Sequence, residues 1–186
     1  MKRFLLYLVF SLCYGIFADS RGAGQSFVMM KEEGRLVLKP TEYAITFAAV
    51  RQPDIQCSVK TVCNFAPQNN GAEAGLMIYL QSDFNYRICK KRYAGEDYIV
   101  IQKYAEDFAQ TIYKKKTQSS TFKFQINAEK DYYYFYCSEN NEPMQQVCKA
   151  STHFLCVEVP SRCFTGTIIG VYTIGDMAEF SYFEAN

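Results

Sequence analysis

Phe122, Phe124 and Ile126 alternate with Lys123 and Gln125, a period of two that fits an extended strand with one dry face and one wet face. This alternation constrains the fold strongly, because a half-buried strand needs neighbours in its own sheet and a second layer over its apolar side. Short runs rich in aromatic and β-branched residues recur at Arg35 to Lys39, Ala44 to Val50, Ile55 to Phe65, Ala74 to Leu80, Asn85 to Lys90, Tyr98 to Tyr104, Tyr132 to Cys137, Thr167 to Thr173 and Met177 to Phe183. Turn-forming residues separate them: Pro67, Asn69, Asn70 and Gly71; Ala94, Gly95 and Glu96; Asn140 to Pro143; Gly175 and Asp176. No window has a helical period. The pattern predicts an all-β chain folded as a two-sheet antiparallel β-sandwich or a barrel.

The chain opens with Met1, Lys2 and Arg3 and an apolar run from Phe4 to Phe17, the layout of a secretory signal peptide. The expectation is a leader over residues 1–18, cleaved after Ala18, and a single domain over 19–186. The apolar run is shorter than the roughly 20 residues a membrane-spanning helix needs, so a secreted, extracellular product without a membrane anchor is expected. Of 20 basic and 19 acidic residues, Lys2 and Arg3 go with the leader. The remainder is one charge to the acidic side, without the basic surplus a nucleic-acid binder uses against phosphates.

Export also bears on the cysteines, because oxidising conditions let thiols pair. Beyond the leader stand Cys57, Cys63, Cys89, Cys137, Cys148, Cys156 and Cys163, an odd number. No Cys-x-x-Cys spacing occurs and His153 is the only histidine, so a zinc site has little to build on. Cys57 and Cys63 lie six residues apart on one strand, roughly 20 Å when extended, too far for a disulfide. Cys137 and Cys148 flank a turn and Cys156 and Cys163 bracket the loop containing Pro160, so each pair is a candidate bridge worth about 2 to 3 kcal/mol. The triplets Lys90, Lys91, Arg92 and Lys114, Lys115, Lys116 are expected to be solvated strand ends that discourage edge pairing.

Several segments together are specific. Phe65-Ala-Pro67, Gly71-Ala-Glu-Ala-Gly-Leu-Met-Ile-Tyr79, Phe84-Asn-Tyr-Arg87, Tyr134-Phe-Tyr-Cys-Ser138, Leu155-Cys-Val-Glu158, Phe164-Thr-Gly-Thr-Ile-Ile-Gly170 and Ala178-Glu-Phe-Ser-Tyr-Phe183 resemble, in order, the C-terminal concanavalin A-like domain of β-xylosidases in glycoside hydrolase family 43. The resemblance implies a concanavalin A-like jelly roll. In the family this domain follows a β-propeller that carries the catalytic carboxylates, and these 186 residues leave no room for one. An aromatic residue near the Phe-Thr-Gly segment helps close the family's sugar pocket, and Phe164 matches it. Ser181 stands where the family's last strand commonly has Asp, which removes a carboxylate from any structural calcium site. No other cofactor is implied.

The expected function is a secreted, non-catalytic carbohydrate-associated module that binds a polysaccharide or oligosaccharide. The 15 Tyr and 15 Phe suit it, because aromatic faces stack on the C–H faces of sugars while placed polar groups bond the hydroxyls. Phe164, Tyr79 and Arg87 are the candidate ligand-binding residues. The run Tyr132 to Tyr136 also fits such a surface, although about half of it must face the core. A second reading is an accessory subunit that docks on a separately encoded glycosidase chain and lends it Phe164. A third is a glycoside hydrolase in its own right, for which neither a paired acid and base nor a catalytic triad around His153 is apparent.

Overall fold

A computed structural model of the protein describes residues 30–32, 35–40, 45–140, 142–156 and 166–186. The stretch expected to be a leader, Cys163 and Phe164 lie outside the described residues. Among the described residues thirteen strands follow one another: β1 (Met30–Glu32), β2 (Arg35–Leu38), β3 (Thr46–Arg51), β4 (Cys57–Asn64), β5 (Glu73–Gln81), β6 (Phe84–Tyr93), β7 (Glu96–Ala105), β8 (Phe108–Lys116), β9 (Thr121–Ala128), β10 (Tyr132–Glu139), β11 (Gln145–Ser151), β12 (Ile168–Ile174) and β13 (Ala178–Ala185). A 3-10 turn, Thr152–Leu155, follows β11. All pairings are antiparallel, in a seven-stranded sheet ordered β1-β2-β13-β4-β9-β10-β11 and a six-stranded sheet ordered β3-β12-β5-β6-β7-β8. The expected all-β two-sheet sandwich is the observed fold.

The alternation works as the period of two requires. In β9 Phe122, Phe124, Ile126 and Ala128 are buried while Thr121, Lys123, Gln125 and Asn127 are half-buried. β4 matches it with Cys57, Val59, Thr61 and Cys63 turned inward. Those two cysteines point the same way along one strand, as the sequence required. The six-stranded sheet supplies Ala74, Leu76, Ile78, Leu80, Tyr86, Ile88, Ile99, Ile101, Ile169 and Val171 to the same core. Tyr86 meets Tyr133 and Phe135 of the facing sheet edge-on, with centroids 6.1 and 6.0 Å apart, a favoured aromatic geometry.

Sequence reading missed β1, β8 and β11. β8 and β11 are edge strands with no fully buried residue, and β1 is the other edge of the seven-stranded sheet. An edge strand that buries no side is free of the alternation by which strands are recognised.

The basic triplet at the end of β6 is a correction. Lys90 is 2% exposed. It points inward like Ile88, donates to the carbonyls of Ser119 at 2.8 Å and Phe65 at 3.1 Å, and pairs with Asp97 at 2.9 Å. Two carbonyls and a carboxylate around one ammonium fasten β6 to the segments that enter and leave the other sheet. Lys91 is half-buried and pairs with Glu73 at 2.6 Å, and Arg92 pairs with Asp97 at 3.0 Å. The strand's alternation sends these cations to opposite faces, where oxygens meet them, so the triplet ties the fold together. The triplet on β8 conforms better: Lys114, Lys115 and Lys116 are exposed.

The proposed Cys137–Cys148 bridge is also corrected. Both are free thiols, because the β10–β11 register places Cys148 opposite Phe135 and Gln145 opposite Cys137. Cys156 is free as well, while its suggested partner Cys163 lies outside the described residues. Among the described residues no disulfide forms.

Two measurements test this account. Lys90→Met should lower the urea-unfolding free energy by about 3 kcal/mol, because it strands two carbonyls in the interior. Burial raises the thiols of Cys89 and Cys137 to about 12 and raises Cys63 as well. In a timed iodoacetamide reaction of the native protein followed by peptide mapping, these three should therefore lag behind the half-buried Cys156.

Candidate functional site

The outer face of the six-stranded sheet is itself partly dry. Phe47, Met77, Cys89, Val100 and Tyr172 form a second apolar cluster there, separate from the core between the sheets. β5 is buried on both sides, which is why Ala74 to Leu80 reads as continuous apolar sequence rather than as an alternation. Two glycines permit it. A Cβ on Gly75 would fall 2.1 Å from the Ile88 carbonyl oxygen, and one on Gly170 would fall 2.1 Å from that of Ala48. Only residues without a Cβ let β5 meet β6, and β12 meet β3, so closely.

Glu73 lies in this layer at 1% exposure. One oxygen accepts from Arg87 Nη1 at 2.7 Å and from the Tyr172 hydroxyl at 3.1 Å, and the other faces Lys91 Nζ at 2.6 Å. Burial alone would raise the Glu73 carboxyl, but the charges of Arg87 and Lys91 outweigh it and hold the group below its ordinary value. Arg87 is likewise opposed by burial and favoured by Glu73, and its charge is the more secure for it. Arg87 Nε donates to Asn85 Oδ1 at 2.9 Å, and its guanidinium lies 3.9 Å from the centre of the Tyr104 ring.

The candidate residues can now be placed. Tyr79 and Arg87 do share this face, on adjacent strands. Tyr79 is half-buried with its ring 5.7 Å from that of Phe47, so it lines the surface. Arg87 is 6% exposed and its donors are engaged from below, so it supports the surface through Tyr104. Phe164 lies outside the described residues.

Above Arg87 lies a polar layer that sequence reading passed over. Tyr104 donates to Gln102 Oε1 at 3.2 Å, Lys91 reaches the same oxygen at 3.2 Å, and Gln102 Nε2 donates to Thr111 Oγ1 at 3.3 Å. Tyr98 stands on the same face two rows from Gln102, beyond Val100, beneath Lys114 Nζ at 3.9 Å. Tyr79, Tyr98 and Tyr104 with Gln102 thus give half-buried rings and one fixed amide, seated on a charged network that cannot rotate away. The signal available was the register: residues paired with Asn85 and Arg87 on β7 must share their face.

Chemically the arrangement can orient hydroxyls and stack against a ring. Glu73 is a poor proton donor, being held ionised by three partners. Among the described residues no group of three or more His, Cys, Asp or Glu side chains is placed to hold a metal ion.

Glu73 also gives a pH dependence. Its native pKa lies below the ordinary 4.5, so the stability it contributes is complete above that value and is lost as pH falls through the native one. Urea unfolding from pH 7 to pH 2 should show Glu73→Gln less stable than the parent by about 3 to 5 kcal/mol at neutral pH, with the gap closing on the acid side.

Comparisons with known proteins agree with this architecture. Residues 29–186 match the family model described as the β-xylosidase C-terminal concanavalin A-like domain. Among solved structures, the Bacteroides ovatus protein described as xyloglucan PUL GH43B superposes with a TM-score of 0.73 at 22% identity, over 84% of this chain and 33% of its own. The xylan β-1,4-xylosidase from Bacillus halodurans gives a TM-score of 0.76 at 17% identity, over 83% of this chain and 33% of its own. A Saccharomyces cerevisiae protein described as functionally unknown gives 0.65 at 10% identity, over 86% of this chain and 91% of its own. At these identities the likeness shows the fold alone. The chain spans about a third of the length of the first two of these proteins, and the family model it matches is that of a C-terminal domain. No curated protein sequence matches it.

Proposed function

The chain belongs to the β-xylosidase C-terminal concanavalin A-like domain family, and from that premise we propose that it is a secreted, non-catalytic carbohydrate-associated module that binds polysaccharide on the outer face of the six-stranded sheet. The observation that carries the reading is the Tyr104–Gln102 pair held over buried Arg87. A half-buried ring and an amide on a rigid base meet the two needs of sugar recognition, an apolar face and directed hydrogen bonds. Tyr79 and Tyr98 extend the aromatic surface to either side. The names of the structural neighbours, a xyloglucan-locus protein and a xylan xylosidase, suggest plant-wall polymers as the first probes. Glu73 serves as a structural anion, which accords with a binding role.

The purified protein should bind soluble xylan or xyloglucan in isothermal titration and release no reducing sugar from either. Tyr104→Ala should weaken binding about tenfold, the loss of roughly 1.4 kcal/mol expected for one stacked ring. Absence of binding to either polymer would sink this reading in favour of an accessory subunit that docks on a glycosidase chain through Phe164.

A further inference from the structure

The outer face of the seven-stranded sheet takes no part in the site above, and it has an unusual pattern of its own. Tyr133, Phe135 and Cys137 of β10 are buried in the core, so Tyr132, Tyr134 and Tyr136 stand on the opposite, outer side. One strand thus presents a phenol ring at every second residue, a pitch of about 7 Å. The rings of Tyr132 and Tyr134 lie 6.2 Å apart, and Lys149 Nζ sits 4.4 Å over the Tyr132 ring.

The register supplies polar side chains on both flanks. Tyr134 lies between Asn127 of β9 and Lys149 of β11, and Tyr136 lies between Gln125 and Gln146. Beyond them on β4, Ser58 pairs with Asn127 and Lys60 with Gln125. Ser58 donates to Asn127 Oδ1 at 3.0 Å and Gln125 donates to the same oxygen at 2.7 Å, which ties the amide row flat beside the rings. In the row through Tyr136 the carboxylate is that of Glu184, across β9 and β4 and beyond Lys60, where it accepts from the Tyr182 hydroxyl.

Scattered surface aromatics need no explanation, but rings in line with hydrogen-bonding side chains on each side have a chemical match. A sugar chain lying along β10 would set its C–H faces on the rings and its hydroxyls against the amides and Lys149. We propose that Tyr132, Tyr134 and Tyr136 form a second carbohydrate-binding surface, which takes a linear, uncharged polysaccharide along β10. It rests on the reading of the protein as a carbohydrate-associated module. Because the two surfaces lie on the outer faces of opposite sheets, one molecule can hold two chains and join them.

The test uses the full chain, soluble xylan and xyloglucan as probes, and two readouts: isothermal titration for sites per protein, and turbidity for cross-linking of the polymer. The parent should show two sites and raise turbidity. Tyr134→Ala/Tyr136→Ala should lose one site and the turbidity while keeping the Tyr104-dependent site, and Tyr134→Phe/Tyr136→Phe should retain both. Should the alanine variant not fold, Gln146→Ala/Lys149→Ala on edge strand β11 should weaken the same site at least threefold. An alanine variant with unchanged stoichiometry and turbidity overturns the second surface and leaves the first standing. Tyr104→Ala without effect beside a disabling Tyr134→Ala/Tyr136→Ala does the reverse. A parent that binds neither polymer refutes both, and loss of self-association in light scattering without loss of sugar binding marks the row as a protein contact and refutes the second surface.

Discussion

A carboxylate removed from water stays charged only where cations come with it, and the six-stranded sheet is organised around that requirement at Glu73. Its three partners come from the two strands beside it: Arg87 and Lys91 from β6, and Tyr172 from β12. β5 is thereby fastened to both neighbours by side chains as well as by its ladder. The same contacts fix the ring of Tyr104 above Arg87, so the surface above inherits its rigidity from a charge below. Gly75 belongs to the same device, since a side chain there would push β5 away from β6, the strand that carries Arg87 and Lys91.

The two sheets resolve their outer faces differently. The outer side of the six-stranded sheet carries a second apolar cluster around Phe47, Met77 and Tyr172, with the charges of Glu73, Arg87 and Lys91 set beside it. The outer side of the seven-stranded sheet is polar between its rings, with Lys123, Gln125 and Asn127 on β9 beside the tyrosines of β10. Between the sheets the core is mainly aromatic and aliphatic, with Thr61, Cys57 and Cys63 of β4 among it, and Lys90 reaches into it from β6. There an ammonium gathers two backbone carbonyls and Asp97, a task a bound cation performs in other proteins.

Much of the architecture is legible from residues because burial leaves a signature in the strand. β4, β9 and β10 each bury one side and can be read directly. β8 and β11 bury neither side completely and leave no such trace. Tyr79 and Arg87, singled out from the sequence, share the outer face of the six-stranded sheet. Nothing in the local sequence tells that Arg87 is spent on Glu73, fourteen residues away, or that Lys90 faces inward while Lys91 faces outward. Gln102 and Tyr104 become visible only when β7 is laid beside β6 in register.

The sequence by itself determined the all-β class, the two-layer sandwich, the strands that line the core and the family, since these follow from local periodicity, turn residues and ordered segments. Tertiary structure alone decided which cations are buried, which cysteines can meet and which aromatic side chains share a face. Those depend on registers between strands distant in the chain. A shift of one residue in any register would turn the same side chains to the other side of the sheet.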